Sequence, residues 1–176
     1  MNTIRVLVTG AGSGVGQGII KALGISSLPL RIISCDIEPL NSALFRADEA
    51  FLIPKVESEH SLEVIIEKLN KFDIDVVLIG SEFDLRFFSE NKKKIEMETK
   101  AHVIVSPIDT VAMAEDKWLT MEFLRNNGFP YAPAYVPSSC EEAIQIAQDL
   151  DYPLILKTRT GTSSRNVHVV DNSDKL

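Results

Sequence analysis

The sequence predicts an α/β fold in which a parallel sheet is followed by the first part of a smaller α+β unit. Short, almost entirely apolar runs recur along roughly the first 110 residues, and amphipathic segments of helical period separate them. In addition, a glycine-rich turn at residues 10–16 joins the first apolar run to the first of these helices. Strand, glycine turn and helix in this order are typical of the start of a doubly wound, Rossmann-like sheet.

Five strands and the helices between them account for the first part of the chain. The apolar runs that we interpret as strands cover residues 4–9, 30–35, 50–53, 76–79 and 102–105. The segments that we interpret as helices cover residues 15–24, 41–47, 61–72 and 84–97. Because helical crossovers join parallel strands, we expect one sheet with both of its faces covered by helices.

The second part of the chain is predicted to form a separate unit, which places the domains at residues 1–112 and 113–176. Its predicted elements are helices at residues 116–127 and 138–150, a short strand at Tyr135–Val136, and strands at residues 154–156 and 167–170. So few elements in fewer than about 70 residues are marginal for an independent domain. We therefore expect this unit to be incomplete and the chain to be part of a longer protein.

Composition excludes several classes of protein. The chain has 176 residues, 45% of them hydrophobic and 24% charged, which predicts an ordinary folded core. A net charge of -7 argues against a nucleic-acid surface, and no apolar run approaches the roughly 20 residues of a membrane-spanning helix. Cys35 and Cys140 have neither metal-like nor disulfide-framework spacing. We expect a cytoplasmic protein without nucleic-acid or membrane partners.

The first glycine-rich turn resembles a nucleotide-binding fingerprint. Gly10, Gly14 and Gly16 have the spacing G-x-x-x-G-x-G, and Asp36 follows the second strand, where a carboxylate can bind ribose hydroxyls. This pattern predicts an NAD(P)-binding protein of the short-chain dehydrogenase type. However, no tyrosine is followed by a lysine four residues later, as that chemistry requires. The glycines are explained as well by tight packing of the first helix on the sheet.

A second polar loop lies between the last two predicted strands, in the segment YPLILKTRTGTSSRNVHVV from Tyr152 to Val170. Gly161 allows this loop to bend with a positive backbone torsion. The exposed amides and hydroxyl groups can donate hydrogen bonds to an anion, and Lys157 supplies a positive charge where the loop begins. A surface hairpin with a polar tip accounts equally well for this composition.

Taken together and in order, five segments between Ile4 and Val170 resemble the ATP-grasp superfamily, and specifically its carbamoyl-phosphate-synthase-like carboxylate–amine ligases. These segments are VLVTGAGSGVGQGIIKAL, CDIEPLNSALFRAD, VVLIGSEFDL, DKWLTMEFLRNNGFPYAP and YPLILKTRTGTSSRNVHVV. The resemblance implies that the first sheet is a pre-ATP-grasp domain, which usually holds no dinucleotide. It also implies that the second unit is the beginning of the ATP-grasp domain.

The resemblance implies that Lys117 and Lys157 contact the phosphates of ATP. The other residues that it assigns to the nucleotide are Arg159, Thr160, Gly161, Thr162, Ser163 and Ser164. It assigns no catalytic residue here, and it implies that Mg²⁺ is required, with ligands beyond residue 176. The implied partners are ATP and a small carboxylate or bicarbonate, which is phosphorylated and then coupled to a nitrogen nucleophile. A homodimer is compatible with this family.

On the same grounds, we expect residues 1–176 alone to be inactive as a ligase. The residues themselves leave two alternatives. One is the NAD(P)-binding protein indicated by Gly10, Gly14, Gly16 and Asp36. The other is an α/β module that binds a ligand or a partner without catalysis.

Overall fold

The computed structural model describes residues 3–161 and 166–176. The chain divides into two compact units, Met1–Val111 and Ala112–Leu176. No helix in the described ranges is both long and apolar enough to cross a bilayer. The assignment of the second unit to an ATP-grasp domain stays a prediction.

A five-stranded parallel sheet forms the centre of the first unit. Its strands are β1 (Ile4–Val8), β2 (Leu30–Asp36), β3 (Glu49–Leu52), β4 (Val76–Leu78) and β5 (His102–Ile104). They lie in the order β3-β2-β1-β4-β5, and every neighbouring pair is parallel. This arrangement confirms the predicted fold class. It also places the segments that follow β1 and β4 side by side at the carboxyl edge of the sheet.

Helices cover both faces of this sheet. They are α1 (Gly14–Gly24), a 3₁₀ helix (Ser42–Arg46), α2 (Ser61–Lys71) and α3 (Glu82–Glu98), and the chain continues into α4 (Ile108–Glu115). Buried residues of α1 and the 3₁₀ helix pack on one face; those of α2 and α3 pack on the other. The sequence did not predict α4, and the helix predicted at residues 41–47 has 3₁₀ rather than α geometry.

In its described part, the second unit contains two α-helices after α4 and an antiparallel pair of strands. These elements are α5 (Lys117–Asn126), α6 (Cys140–Gln148), β6 (Leu154–Lys157) and β7 (Val167–Val170), followed by a 3₁₀ helix (Ser173–Lys175). The strand predicted at Tyr135–Val136 is wrong, because these residues belong to no strand. Pro133 and Pro137 flank them, and proline cannot donate the backbone hydrogen bond that a sheet requires.

Candidate functional site

The hairpin that carries the second polar loop has the predicted strand pairing. Leu154 pairs with Val170 and Lys157 pairs with Val167, so that Lys157 is the last residue of β6 before the loop. The Lys157 side chain is exposed. Gly161 has φ +124°, a conformation that side chains disfavour, and this confirms the positive torsion expected there. Lys157 therefore stands directly before the loop, in which Gly161 has a backbone conformation that favours glycine.

The start of α5 is fixed by Asp116. Its carboxylate Oδ1 accepts hydrogen bonds from the amides of Trp118, at 2.9 Å, and Leu119, at 3.3 Å. An aspartate in this position satisfies backbone donors that have no partner within the helix, and its charge suits the positive end of the helix dipole. As a result, Lys117 is the first residue of the helix, next to its N-terminal cap.

Asp116 also pairs with Arg159, which lies 43 positions later in the chain. Arg159 Nη2 lies 2.5 Å from Asp116 Oδ2, and Arg159 Nε lies 3.2 Å from Oδ1. These charge-assisted hydrogen bonds hold the pKa of Asp116 below its usual value and raise the pKa of Arg159. Sequence reasoning missed both roles of Asp116, although an aspartate directly before a helix was a visible signal for the capping role.

Lys117 lies against the beginning of the polar loop. Its amide donates to the carbonyl of Arg159 at 2.9 Å. Its ammonium nitrogen Nζ lies 3.0 Å from the carbonyl oxygen of Gly161 and 3.4 Å from that of Arg159. Within the loop, the hydroxyl of Thr158 donates to the carbonyl of Thr160 at 2.7 Å. The structure thus brings together Lys117 and the loop backbone, which the sequence could only assign to one site by resemblance.

The remaining predicted loop residues, Thr162, Ser163 and Ser164, lie outside the described residues, as does Arg165. The described part of the site can still be judged as a binder of anions. It offers the ammonium groups of Lys117 and Lys157, which favour negative charge, whereas the first amides of α5 already donate to Asp116 and Arg159. The two ammonium groups are suited to phosphate oxygens. Within residues 3–161 and 166–176, no group of three or more His, Cys, Asp or Glu residues could hold a metal ion.

The glycines of the first turn are explained largely by packing. Gly10 has φ +50°, and a Cβ there would overlap the side chain of Ser81. A Cβ on Gly16 would overlap the carbonyl oxygen of Gly10, whereas a Cβ on Gly14 would meet nothing within 4 Å. The start of α1 therefore packs so tightly against the turn that only glycine fits at position 16. Gly14 has no such packing requirement.

Asp36 is engaged by its own chain. Its Oδ2 accepts hydrogen bonds from the Gly12 amide and from Asn41 Nδ2, each at 2.8 Å, and its Oδ1 accepts from the Glu38 amide at 3.0 Å. A Cβ on Gly12 would overlap the Asn41 side chain. The carboxylate that could bind a ribose instead ties the glycine turn to the segment after β2. This arrangement favours packing over dinucleotide binding as the reason for the glycines.

A cleft of about 540 Å³ opens at the carboxyl edge of the sheet within the first unit. Four carboxyl groups line it, those of Asp36, Glu38, Glu57 and Asp84. The ammonium group of Lys55 also lines the cleft. Asp84 is buried and accepts a hydrogen bond from the Thr9 hydroxyl at 2.7 Å, and burial raises its pKa. An excess of negative charge disfavours the phosphates of a nucleotide in this cleft.

Comparison with known families assigns the first unit. Residues 6–114 match the family model described as PylC-like, N-terminal domain. The chain belongs to this family. The match covers the whole of the five-stranded sheet except the first two residues of β1.

Similar proteins of known function include carbamoyl phosphate synthases. The chain is 27% identical over 190 aligned residues to the arginine-specific large chain of the mitochondrial enzyme from Schizosaccharomyces pombe, covering 98% of this chain and 16% of that protein. It is 24% identical to the large chain from Pyrococcus furiosus, covering 92% of this chain and 15% of that one. The chain thus spans about a sixth of the length of these relatives. They confirm the resemblance to carbamoyl-phosphate-synthase-like ligases.

Solved structures show the same fold across both units. The N5-carboxyaminoimidazole synthetase of Staphylococcus aureus, complexed with ADP, matches with a TM-score of 0.73 at 17% identity, over 98% of this chain and 42% of that one. The biotin carboxylase domain of the Hydrogenobacter thermophilus 2-oxoglutarate carboxylase matches with a TM-score of 0.72 at 21% identity, over 97% of this chain and 38% of that one. That structure is a dimer with MgADP, ADP and bicarbonate.

Proposed function

We propose that this chain is the N-terminal part of an ATP-dependent ligase in which Lys117 and Lys157 bind the phosphates of ATP. The observation that carries this proposal is the contact of the Lys117 ammonium group with the carbonyls of Arg159 and Gly161. This contact joins the first residue of α5 to a loop that begins directly after Lys157. Lys157 lies at one end of residues 157–161, and the Lys117 ammonium group contacts Gly161 at the other end. Two ammonium groups beside one short segment are well suited to a polyphosphate.

The proposed reaction has two steps. An oxygen of a carboxylate or bicarbonate attacks the γ-phosphorus of ATP, and the bond to ADP breaks, which gives an acyl phosphate and ADP. A nitrogen nucleophile then attacks the acyl carbon, and inorganic phosphate leaves as the nitrogen loses a proton. The names of the relatives and the ADP and bicarbonate in the matched structures support this chemistry for the longer protein.

The two lysines would act on the first step. Negative charge moves towards the leaving ADP as the bond to the γ-phosphorus breaks, and positioned ammonium groups stabilise that charge. Mg²⁺ would contribute further neutralisation when bound with the nucleotide. The described residues supply the two ammonium groups, and the metal ligands are proposed to lie beyond residue 176.

The experiment uses the full-length protein that contains this chain. Hydroxylamine converts the acyl phosphate of a carboxylate to a hydroxamate, so ATP-dependent hydroxamate formation from a panel of carboxylates would report the first step; for bicarbonate, the first step is followed as bicarbonate-dependent release of ADP. Lys157→Ala and Lys117→Ala should each lower kcat/KM by about a hundredfold, as loss of one transition-state donor does. Lys157→Arg should not fully restore activity, because a planar fork replaces a compact charge.

Lys93→Ala is the matched control, since it removes an ammonium group from an exposed position of α3 in the other unit. This variant should keep the rate of the unchanged protein. Full hydroxamate formation by Lys157→Ala, or ADP release that no carboxylate or bicarbonate accelerates, would overturn the proposed function.

A further inference from the structure

The ion pair between Arg159 and Asp116 gives Arg159 a different role from that of the lysines. Both Arg159 Nε and Nη2 contact the Asp116 carboxylate, in the two-point geometry in which a guanidinium group matches a carboxylate. Asp116 is itself held in place, because its Oδ1 also caps α5 through two amides. The guanidinium group is therefore anchored to the rigid end of a helix.

Lys117, the residue after Asp116, contacts the same part of the loop. Once Arg159 is anchored by its side chain, its carbonyl oxygen receives the Lys117 amide at 2.9 Å. The Lys117 ammonium group reaches the Arg159 and Gly161 carbonyls at 3.4 and 3.0 Å. Residues 159–161 are thus connected to the start of α5 in two ways. The Arg159 side chain contacts Asp116, and the backbone carbonyls of Arg159 and Gly161 contact Lys117.

We propose that Arg159 and Asp116 are positioning residues that hold Lys117 and residues 159–161 in place for the phosphates, and that Arg159 is not itself a phosphate ligand. The proposal rests on the function proposed above. A phosphate that drew Arg159 away would leave the Asp116 carboxylate near a second negative charge without its partner. The ion pair and direct phosphate binding by Arg159 therefore oppose each other electrostatically.

Asp116→Asn and Arg159→Met distinguish the two roles. Asparagine caps helices as well as aspartate does, so the first variant removes the charge of the pair and keeps the cap. In the full-length protein, each variant should weaken ATP binding by a similar factor, on the order of tenfold, and the double variant should bind no more weakly than either. Arg159→Lys should restore binding only in part, since an ammonium group lacks the fork.

A second measurement does not depend on ATP. In the 176-residue chain, hydrogen exchange of the Lys117 amide should accelerate several-fold in both single variants, because its acceptor is the Arg159 carbonyl. Arg125→Met is the control: it removes an exposed ion pair with Glu122 on the same helix and should leave this exchange unchanged. Global stability should shift little in Arg125→Met, because an ion pair at the surface contributes little to it.

A positioning role and a phosphate-binding role of Arg159 predict different results. If Arg159→Met weakens ATP binding much more than Asp116→Asn does, and the losses add in the double variant, Arg159 binds phosphate and the proposal is overturned. Unchanged exchange of the Lys117 amide in both variants also overturns it. If the unaltered full-length protein binds no ATP, the proposed function fails, and the nucleotide part of this inference fails with it. Faster exchange of the Lys117 amide in the two single variants would still establish that the ion pair holds Lys117.

Discussion

The backbone amide of Gly12 donates a hydrogen bond to the carboxylate of Asp36 at 2.8 Å, which ties the glycine-rich turn to the end of β2. The same oxygen accepts a hydrogen bond from Asn41. A sequence pattern that is typical of dinucleotide binding therefore serves a contact within the chain.

Asp36→Ala should destabilise the first unit by about 2–4 kcal/mol, because it leaves buried or half-buried donors without their acceptor. Chemical denaturation measures this loss. Glu38→Ala is the control, since it removes a carboxylate from the same cleft and keeps the Glu38 amide that bonds to Asp36. Equal stability of the two variants would contradict the structural role of Asp36.

NADH should bind weakly or not at all, because Asp36 and Gly12 are engaged with Asn41 and no Tyr–Lys pair is present at the required spacing. Titration followed by NADH fluorescence tests this prediction. Micromolar affinity that disappears in Asp36→Asn, a variant that keeps an acceptor oxygen, would favour the dehydrogenase alternative instead.

Gly16→Ala and Gly14→Ala form a matched pair two positions apart. A Cβ at position 16 would overlap the Gly10 carbonyl, so this variant should lose about 1–3 kcal/mol of unfolding free energy. Position 14 is open, and alanine should be neutral there or add up to about 1 kcal/mol through its greater helix propensity. Thermal unfolding compares the two, and similar midpoints would refute the packing explanation of Gly16.

Asp84→Asn should change how stability depends on pH. Burial, followed by the charges of Asp36, Glu57 and Glu82, raises the pKa of Asp84 above 3.8, although the Thr9 hydroxyl opposes this shift. A raised pKa means that the folded state binds the proton more tightly. Stability from this group is therefore present below pH 3.8 and is lost as pH rises through the folded-state pKa.

The asparagine variant has no such loss and can still accept the Thr9 hydrogen bond. The free energy of unfolding of Asp84→Asn should therefore improve relative to the unchanged chain as pH rises from about 4 to 7, by an amount that follows the pKa shift. Urea denaturation at several pH values gives both curves. Parallel curves would show that the Asp84 pKa is not raised in the folded chain.

Ser34→Ala should be neutral or stabilising. Among the described residues, the Ser34 hydroxyl is the buried side-chain polar atom without a hydrogen-bond partner. Its removal avoids the cost of burying an unsatisfied group. Ser61→Ala is the contrast, because the buried Ser61 hydroxyl donates to the Val56 carbonyl at 2.9 Å, and its loss should cost about 1 kcal/mol. Denaturation midpoints in the reverse order would count against this assignment.

The order of elements could be read from the sequence because it depends on local patterns. The apolar runs of β1, β2, β4 and β5 can satisfy their backbone groups and bury their side chains only within a covered parallel sheet, and the structure confirms this. The two errors arose where local signals were weak or misleading. At Tyr135–Val136, β-forming side chains lie between prolines, while α4 follows Pro107 and has only a modest apolar face.

The partners of individual charged groups were decided by tertiary structure. Asp36 has the same sequence context whether it binds a ribose or its own glycine turn, and only the tertiary structure shows that Gly12 and Asn41 donate hydrogen bonds to it. Arg159 likewise fits a phosphate site by sequence, yet its guanidinium group contacts Asp116, 43 positions away. Residue type fixes which hydrogen bonds a side chain can form, but chain folding over long separations determines which partner comes within reach.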